Sequence, residues 1–369
     1  MKTILFVLES LKGGGAERTV LNIANHLDRR MWRPVFVLYR KVGIYLQFVR
    51  DDVEIVELEC NRPRDAPFAI ARVIKRIRPD LIFSTLLSNN IATSIGALCA
   101  GTRSPVVVRE SNNQTASGRG IWSLHSILAR WAYHRACRVV ALSEGVRHDV
   151  IARYHLPPDQ VVTIYNPIDI GHIERAGKEI GQNPDIGQKN RIFEIIAVGK
   201  LHPQKGFDLL IRACARLKTI PWRLTILGEG RQRKELEKIV QTLKIENQVR
   251  LPGFCDNPYS RMSQADMFVL SSRWEGFGHV IAEAMVCGVP VLATRCPSGP
   301  DEILHDGLDG RLCEPNSVDS LADGLFEFAR NPDVRMKYAV AAKDSVKRFS
   351  VDRITREYEA LFNVCLNQK

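Results

Sequence analysis

The 369 residues are 45% hydrophobic and 25% charged, enough apolar material for two cores and for more than one domain. A net charge of +11 calls for an anionic partner such as a phosphorylated substrate or an anionic membrane face. No aromatic-interleaved basic strand, helix-turn-helix or zinc motif accompanies it, so nucleic acid is not an expected partner. No stretch reaches the roughly 18 apolar residues of a membrane-spanning helix, and the opening apolar run is too short for a signal-peptide core.

Short Val/Ile/Leu runs alternate with helical patterns along the chain, which predicts parallel sheets covered by helices. In the first half, strands are predicted at 3–8, 33–37, 53–56, 81–83, 106–108, 138–141 and 161–164. Tyr165-Asn166-Pro167 closes that series, and the polar stretch 171–190 separates it from a second. There the strands fall at 194–198, 223–227, 249–251, 267–270, 290–293 and 310–312, and a helix is predicted over 351–366. The nine cysteines are scattered without a Cys-x-x-Cys pair, the pattern of free thiols in a reducing cytoplasm. No His/Cys/Asp grouping has metal-ligand spacing, so no metal is expected.

Three strand–loop–helix junctions combine glycine with charge. Leu11-Lys12-Gly13-Gly14-Gly15-Ala16-Glu17-Arg18 follows the first strand, and Arg18 stands where a dinucleotide fingerprint has its third glycine. Val198-Gly199-Lys200-Leu201-His202-Pro203-Gln204-Lys205-Gly206-Phe207 sets two lysines before a helix start, an arrangement suited to phosphate. The third junction runs from Glu275 to Glu283 through Gly276, Phe277 and Gly278. Its Gly-rich turn presents backbone N–H groups and the positive end of a helix dipole. Glu283 follows roughly two helical turns after Glu275, so the two carboxylates can hold different parts of one elongated ligand.

Together these residues resemble family 4 of the retaining glycosyltransferases. The resemblance spans nearly the whole chain and also draws on Gly228-Glu229-Gly230, Pro252-Gly253-Phe254 and Ser298-Gly299-Pro300-Asp301-Glu302-Ile303. It implies the GT-B architecture, an α/β fold of two Rossmann-like parallel-sheet domains facing a central cleft. Residues 1–168 would bind the acceptor, 169–350 the nucleotide sugar, and 351–369 would form a helix crossing back to the first domain. It also implies a nucleotide-sugar co-substrate, with UDP favoured, and no required metal or other cofactor. The sugar would be a hexose or N-acetylhexosamine, and the acceptor a glycan or a polyprenyl-diphosphate-linked acceptor of cell-surface polysaccharide assembly. By the same resemblance, Glu283 bonds the ribose, Glu275 with Gly276, Phe277 and Gly278 holds the donor sugar, and Lys200 with Lys205 neutralises the diphosphate. Gly14, Gly15 and Arg18 complete the donor set from the first half, where the Gly13 to Gly15 amides would help to stabilise the diphosphate; Gly199, Gly228, Gly253 and Phe254 complete it from the second.

Two positions depart from the family pattern. Lys200 stands where arginine is usual, reducing a bidentate contact to a point charge. Glu110 stands where many members carry a histidine near the reacting sugar, within Val108-Arg109-Glu110-Ser111-Asn112-Asn113, which reads as an active-site loop after the 105–108 strand. Farther on, Leu124, Ile127, Leu128 and Trp131 share helical spacing near Arg130, Arg135 and Arg138. A core-facing helix is the first reading of that stretch, and an interfacial helix on an anionic membrane surface is the second. A nucleotide-sugar epimerase of the same fold, a dinucleotide-dependent dehydrogenase and a non-catalytic sugar-nucleotide binder are the competing functions.

Overall fold

The computed structural model describes residues 1–58, 60, 63–116, 124–179 and 192–368. They form two compact units, Met1–Pro167 with Phe349–Lys369, and Ile168–Arg348. In the first, the chain runs through β1 (Lys2–Leu8), α1 (Gly15–His26), β2 (Trp32–Leu38), β3 (Glu54–Glu57), α2 (Ala66–Ile77), β4 (Leu81–Thr85), α3 (Leu87–Ala100), β5 (Val106–Glu110), α4 (Leu124–Arg135), β6 (Arg138–Ala141), α5 (Glu144–Tyr154) and β7 (Val161–Thr163). The second contains α6 (Ile170–Gly177), β8 (Phe193–Val198), α7 (Phe207–Cys214), β9 (Trp222–Leu227), α8 (Arg233–Leu243), β10 (Val249–Gly253), α9 (Pro258–Met262), β11 (Met267–Leu270), α10 (His279–Val286), β12 (Val291–Thr294), α11 (Pro300–Ile303), β13 (Arg311–Cys313), α12 (Val318–Arg330) and α13 (Pro332–Ser345). The last helix, α14 (Val351–Asn367), returns to the first unit.

Each of the 13 strands among the described residues falls where the Val/Ile/Leu runs predict it, with ends moved by two residues at most. All recorded strand pairings are parallel, as expected of strands buried on both faces. Period-two alternation sorts the side chains of β1. Ile4, Phe6 and Leu8 pack with α1 and with Tyr358 and Phe362 of α14. Leu5 and Val7 pack on the other side with Ala69, Ile70, Val73 and Ile74 of α2 and Ala97 of α3. Phe83 and Phe362 meet edge to face, with ring centroids 6.0 Å apart, so α14 is a core element of the first unit.

Strand order places the site. The sheets run β3-β2-β1-β4-β5-β6-β7 and β10-β9-β8-β11-β12-β13. In each, the first strand lies inside the sheet, and the chain builds outward on one side before returning to the other. The loops leaving β1 and β4, and those leaving β8 and β11, therefore diverge at the carboxyl edge. In open α/β sheets such a reversal opens a crevice for ligands.

Two expectations are corrected here. The segment read as an active-site loop begins two residues later, because β5 continues through Arg109 and Glu110, both buried. The predicted apolar stripe of α4 is not its core face either: Ile127 is 59% exposed, while Ala129, Ala132 and Tyr133 are buried. Residues 121–123 of that stretch lie outside the described residues.

Candidate active site

In the second unit, the loops after β8 and β11 are tied into one body at the strand-order reversal. The backbone N–H of Arg273 donates to the carbonyl of Gln204 at 2.7 Å, and Gln204 Nε2 donates to the Trp274 carbonyl at 3.0 Å. The Arg273 guanidinium reaches the Pro203 carbonyl at 2.8 Å and forks onto Asp208 at 2.9 and 2.8 Å. Ser271 Oγ donates to the Lys205 carbonyl at 2.8 Å. The Lys205 ammonium meets Glu275 Oε1 at 2.5 Å, and Ser272 Oγ donates to the same oxygen at 2.7 Å. The lysine expected on a diphosphate and the carboxylate expected on a sugar are thus each other's partners. Burial and the Glu275 charge push the neighbouring Cys296 thiol up to about 12, so it stays protonated at neutral pH.

Around this pair the cations are concentrated. Lys200 and Arg231 are exposed, and an Arg231 nitrogen lies 3.0 Å from His202 Nε2. Slight burial, then the charges of Arg231, Lys200 and Lys205, hold the His202 ring below its ordinary pKa. Imidazole is thereby kept neutral in a field that attracts anions. Glu283 is buried on α10, whose first residue, His279, follows the N-cap Gly278; Gly276 and Phe277 are buried just before it. Phe254 stands 63% exposed beyond β10.

Several glycines of this unit are explained by loop packing. A Cβ on Gly228 would lie 2.0 Å from the Gly199 carbonyl oxygen, and one on Gly206 would lie 2.1 Å from that of Ser271. Both residues also have positive φ, 145° and 60°, which glycine adopts at little cost. Gly253 accepts from the Gly228 N–H at 2.8 Å, so Gly199, Gly228 and Gly253 join the loops after β8, β9 and β10.

In the first unit the Gly-rich loop is arranged differently from expectation. The N–H groups of Gly13 and Gly14 donate to Glu17 Oε2 at 2.8 and 2.6 Å. Two amides expected to face a diphosphate therefore hold a carboxylate of the chain itself. Gly14 caps α1, Gly15 opens it, and Arg18 Nε donates to the Tyr45 hydroxyl at 2.8 Å.

Glu110 is 1% exposed. Its Oε1 accepts from Gln114 Nε2 at 2.9 Å and from the N–H groups of Ser111 and Asn112 at 2.9 and 3.3 Å; its Oε2 accepts from the Tyr133 hydroxyl at 2.7 Å. Arg109 points the other way, to Thr85 Oγ1 at 3.1 Å and to Asn166. Glu110 organises the loop that follows it through these contacts. Burial raises its pKa above the ordinary carboxylate value, opposed by Tyr133, Gln114 and the two amides. A carboxyl with a raised folded pKa binds its proton more tightly in the folded state, so its share of stability is lost as pH rises through that value. Glu110→Gln should flatten this stretch of the stability–pH curve and keep turnover within about threefold, whereas a general acid or base contributes about 10²–10⁴-fold. A larger loss of turnover at unchanged stability would return Glu110 to the chemistry.

Sequence reasoning missed Arg231, Arg273, Asp208 and Ser272. Arg231 follows Gly228-Glu229-Gly230 directly, and that adjacency was the available signal. Arg273 reaches Pro203 and Asp208 across 70 and 65 positions and left no local trace, whereas Ser272 stands only three residues before its partner Glu275.

Two parallel-sheet units, each with charged and Gly-rich loops at a strand-order reversal, define a two-domain α/β protein of the GT-B fold. Two family models match it, "Glycosyltransferase Family 4" over residues 13–172 and "Glycosyl transferases group 1" over residues 182–345. The chain is 29% identical over 370 residues to the N-acetylgalactosamine-N,N'-diacetylbacillosaminyl-diphospho-undecaprenol 4-alpha-N-acetylgalactosaminyltransferase of Campylobacter jejuni, covering 97% of this chain and 98% of that one. HepE of Anabaena, solved with UDP-glucose, superposes with a TM-score of 0.84 at 24% identity over 99% of this chain and 100% of that one. Sucrose-phosphate synthase from Thermosynechococcus elongatus superposes at 0.82 and 16% identity, with full coverage of both chains. The protein belongs to glycosyltransferase family 4.

Proposed function

We propose that this glycosyltransferase is a retaining enzyme that moves a hexose or N-acetylhexosamine from a nucleotide sugar, with UDP favoured, to a lipid-linked glycan acceptor in cell-surface polysaccharide assembly. The observation that carries the reading is the Lys205–Glu275 pair at the reversal between β8 and β11, with buried Glu283 on the helix that follows. The second unit would hold the donor and the first the acceptor. Lys205 and Lys200, with Arg231 beside them, would stabilise the diphosphate without a metal or other cofactor; Glu275 would take the sugar and Glu283 the ribose. The bond from the anomeric carbon to the phosphate oxygen breaks, and its electron pair leaves on the diphosphate. The acceptor oxygen bonds to the same face of the sugar, and its proton passes to the departing phosphate. The Campylobacter relative is named for a diphospho-undecaprenol acceptor, and HepE was solved with UDP-glucose; both support the proposed partners. Among the described residues no helix is long and apolar enough to cross a membrane, so contact with a lipid-linked acceptor would be peripheral, at the cytoplasmic face.

The test is a transfer assay with UDP-, GDP- and ADP-sugars, with and without acceptor, on the wild type and Glu283→Ala. Sugar release is expected only with acceptor, with the same anomeric configuration in product and donor. Glu283→Ala should raise the donor KM by about 10- to 100-fold at nearly constant kcat, because a ribose contact persists in ground and transition states. Equal release without acceptor would instead mark an epimerase or hydrolase.

A further inference from the structure

The geometry points to the outer face of α2, with the adjoining end of α3, as the surface that docks on an anionic phospholipid membrane. This rests on the reading that the acceptor is lipid-linked. Ala69, Ile70, Val73 and Ile74 turn inward to the sheet, while Phe68, Arg72, Lys75 and Arg76 are exposed. At 100° per residue those four fall within one arc of about 100°. Phe68 is 61% exposed on this arc. A Cβ on Gly96 would lie 2.9 Å from the Pro67 carbonyl, and that close approach sets the C-terminal end of α3 against the first turn of α2. Leu98, 54% exposed, and Arg103, also exposed, belong to that end.

From 63 to 103 the chain carries six cations, Arg64, Arg72, Lys75, Arg76, Arg78 and Arg103, against two carboxylates, Asp65 and Asp80. Asp80 is engaged by the Thr3 N–H at 2.8 Å and the Lys2 ammonium at 3.4 Å. A helix with one solvent-facing aromatic among cations matches an anionic interface, where the ring enters the headgroup boundary and the charges stay at the phosphates. The next helix, α4, adds exposed Ile127 and Arg130, so the stretch singled out from sequence would lie beside the docking surface and not at its centre.

Flotation with phosphatidylcholine vesicles, with and without phosphatidylglycerol, tests the assignment. The wild type should float with the anionic vesicles at low salt, stay behind with pure phosphatidylcholine, and be released as ionic strength shortens the Debye length. Reversing the three α2 charges (R72E/K75E/R76E) should lower partitioning about 100-fold, and Phe68→Ser about tenfold. The matched reversal on α8 and its C-cap (K234E/K238E/K244E) should float like the wild type. Failure of the wild type to float, equal binding to neutral vesicles, or unchanged flotation of the α2 variant would each overturn the assignment. Transfer to a water-soluble acceptor reports on the chemistry separately. It should be unchanged in the α2 variant, and its absence in the wild type would sink the transferase reading while leaving the flotation result intact.

Discussion

Replacing Lys205 with alanine should lower turnover by about 10²- to 10³-fold, the loss expected when one fixed donor to a developing negative charge is removed. The ammonium is a point charge held against Glu275 at 2.5 Å, and its backbone is anchored by Ser271. On the proposed mechanism it would need little reorganisation for a leaving diphosphate to take the carboxylate's place. The variant also leaves Glu275 as a largely buried carboxylate retaining Ser272 as a partner, which costs stability because one half of a buried pair is removed. The two effects separate experimentally. K205A/E275Q should recover the melting temperature lost in Lys205→Ala while turnover stays low. If turnover returns together with stability, Lys205 serves the fold and not the reaction. Single-turnover measurement at saturating donor is the decisive readout, since it isolates the chemical step from binding.

Gly206→Ala should be among the most damaging single-methyl changes in the second unit. The added carbon would stand 2.1 Å from the Ser271 carbonyl oxygen, less than any real contact allows, and the backbone at φ 60° disfavours a side chain by about 1–2 kcal/mol. Overpacking adds about 1–3 kcal/mol, so denaturant unfolding should show a loss of roughly 2–5 kcal/mol. Relief of the clash moves the loop after β8 away from the loop after β11. The contacts then stretched are Arg273 N–H to Gln204, Ser271 to Lys205, and Lys205 to Glu275. A 1 Å displacement of such groups costs about 100-fold in rate, so turnover should fall together with stability. A variant that folds within about 1 kcal/mol of wild type at full activity, far under the sterically expected cost, would show that the two loops are not held as one body.

The local chemistry of the chain was enough to determine its strands, their parallel arrangement and the positions of its charged and Gly-rich loops. An apolar run buried on both faces of a sheet has a composition visible within six residues. A glycine before a helix start likewise announces a loop that must fit closely. Those signals led to Gly199, Lys200, Lys205, Glu275 and Glu283, and to family 4.

Which groups face one another was decided only by the tertiary structure. Lys205 and Glu275 come together because β8 and β11, distant in sequence, are neighbours in the sheet. Arg273 clamps the loop after β8 for the same reason. Glu110 reads as a polar loop residue until β6 and α4 close over β5 and bring Tyr133 to its carboxylate. The Gly13 and Gly14 amides read as a ligand cradle until the first turn of α1 folds Glu17 back onto them. Periodicity and turn chemistry are short-range properties of the chain, whereas charge pairing and burial depend on which strands adjoin, and strand order is not written within any single segment.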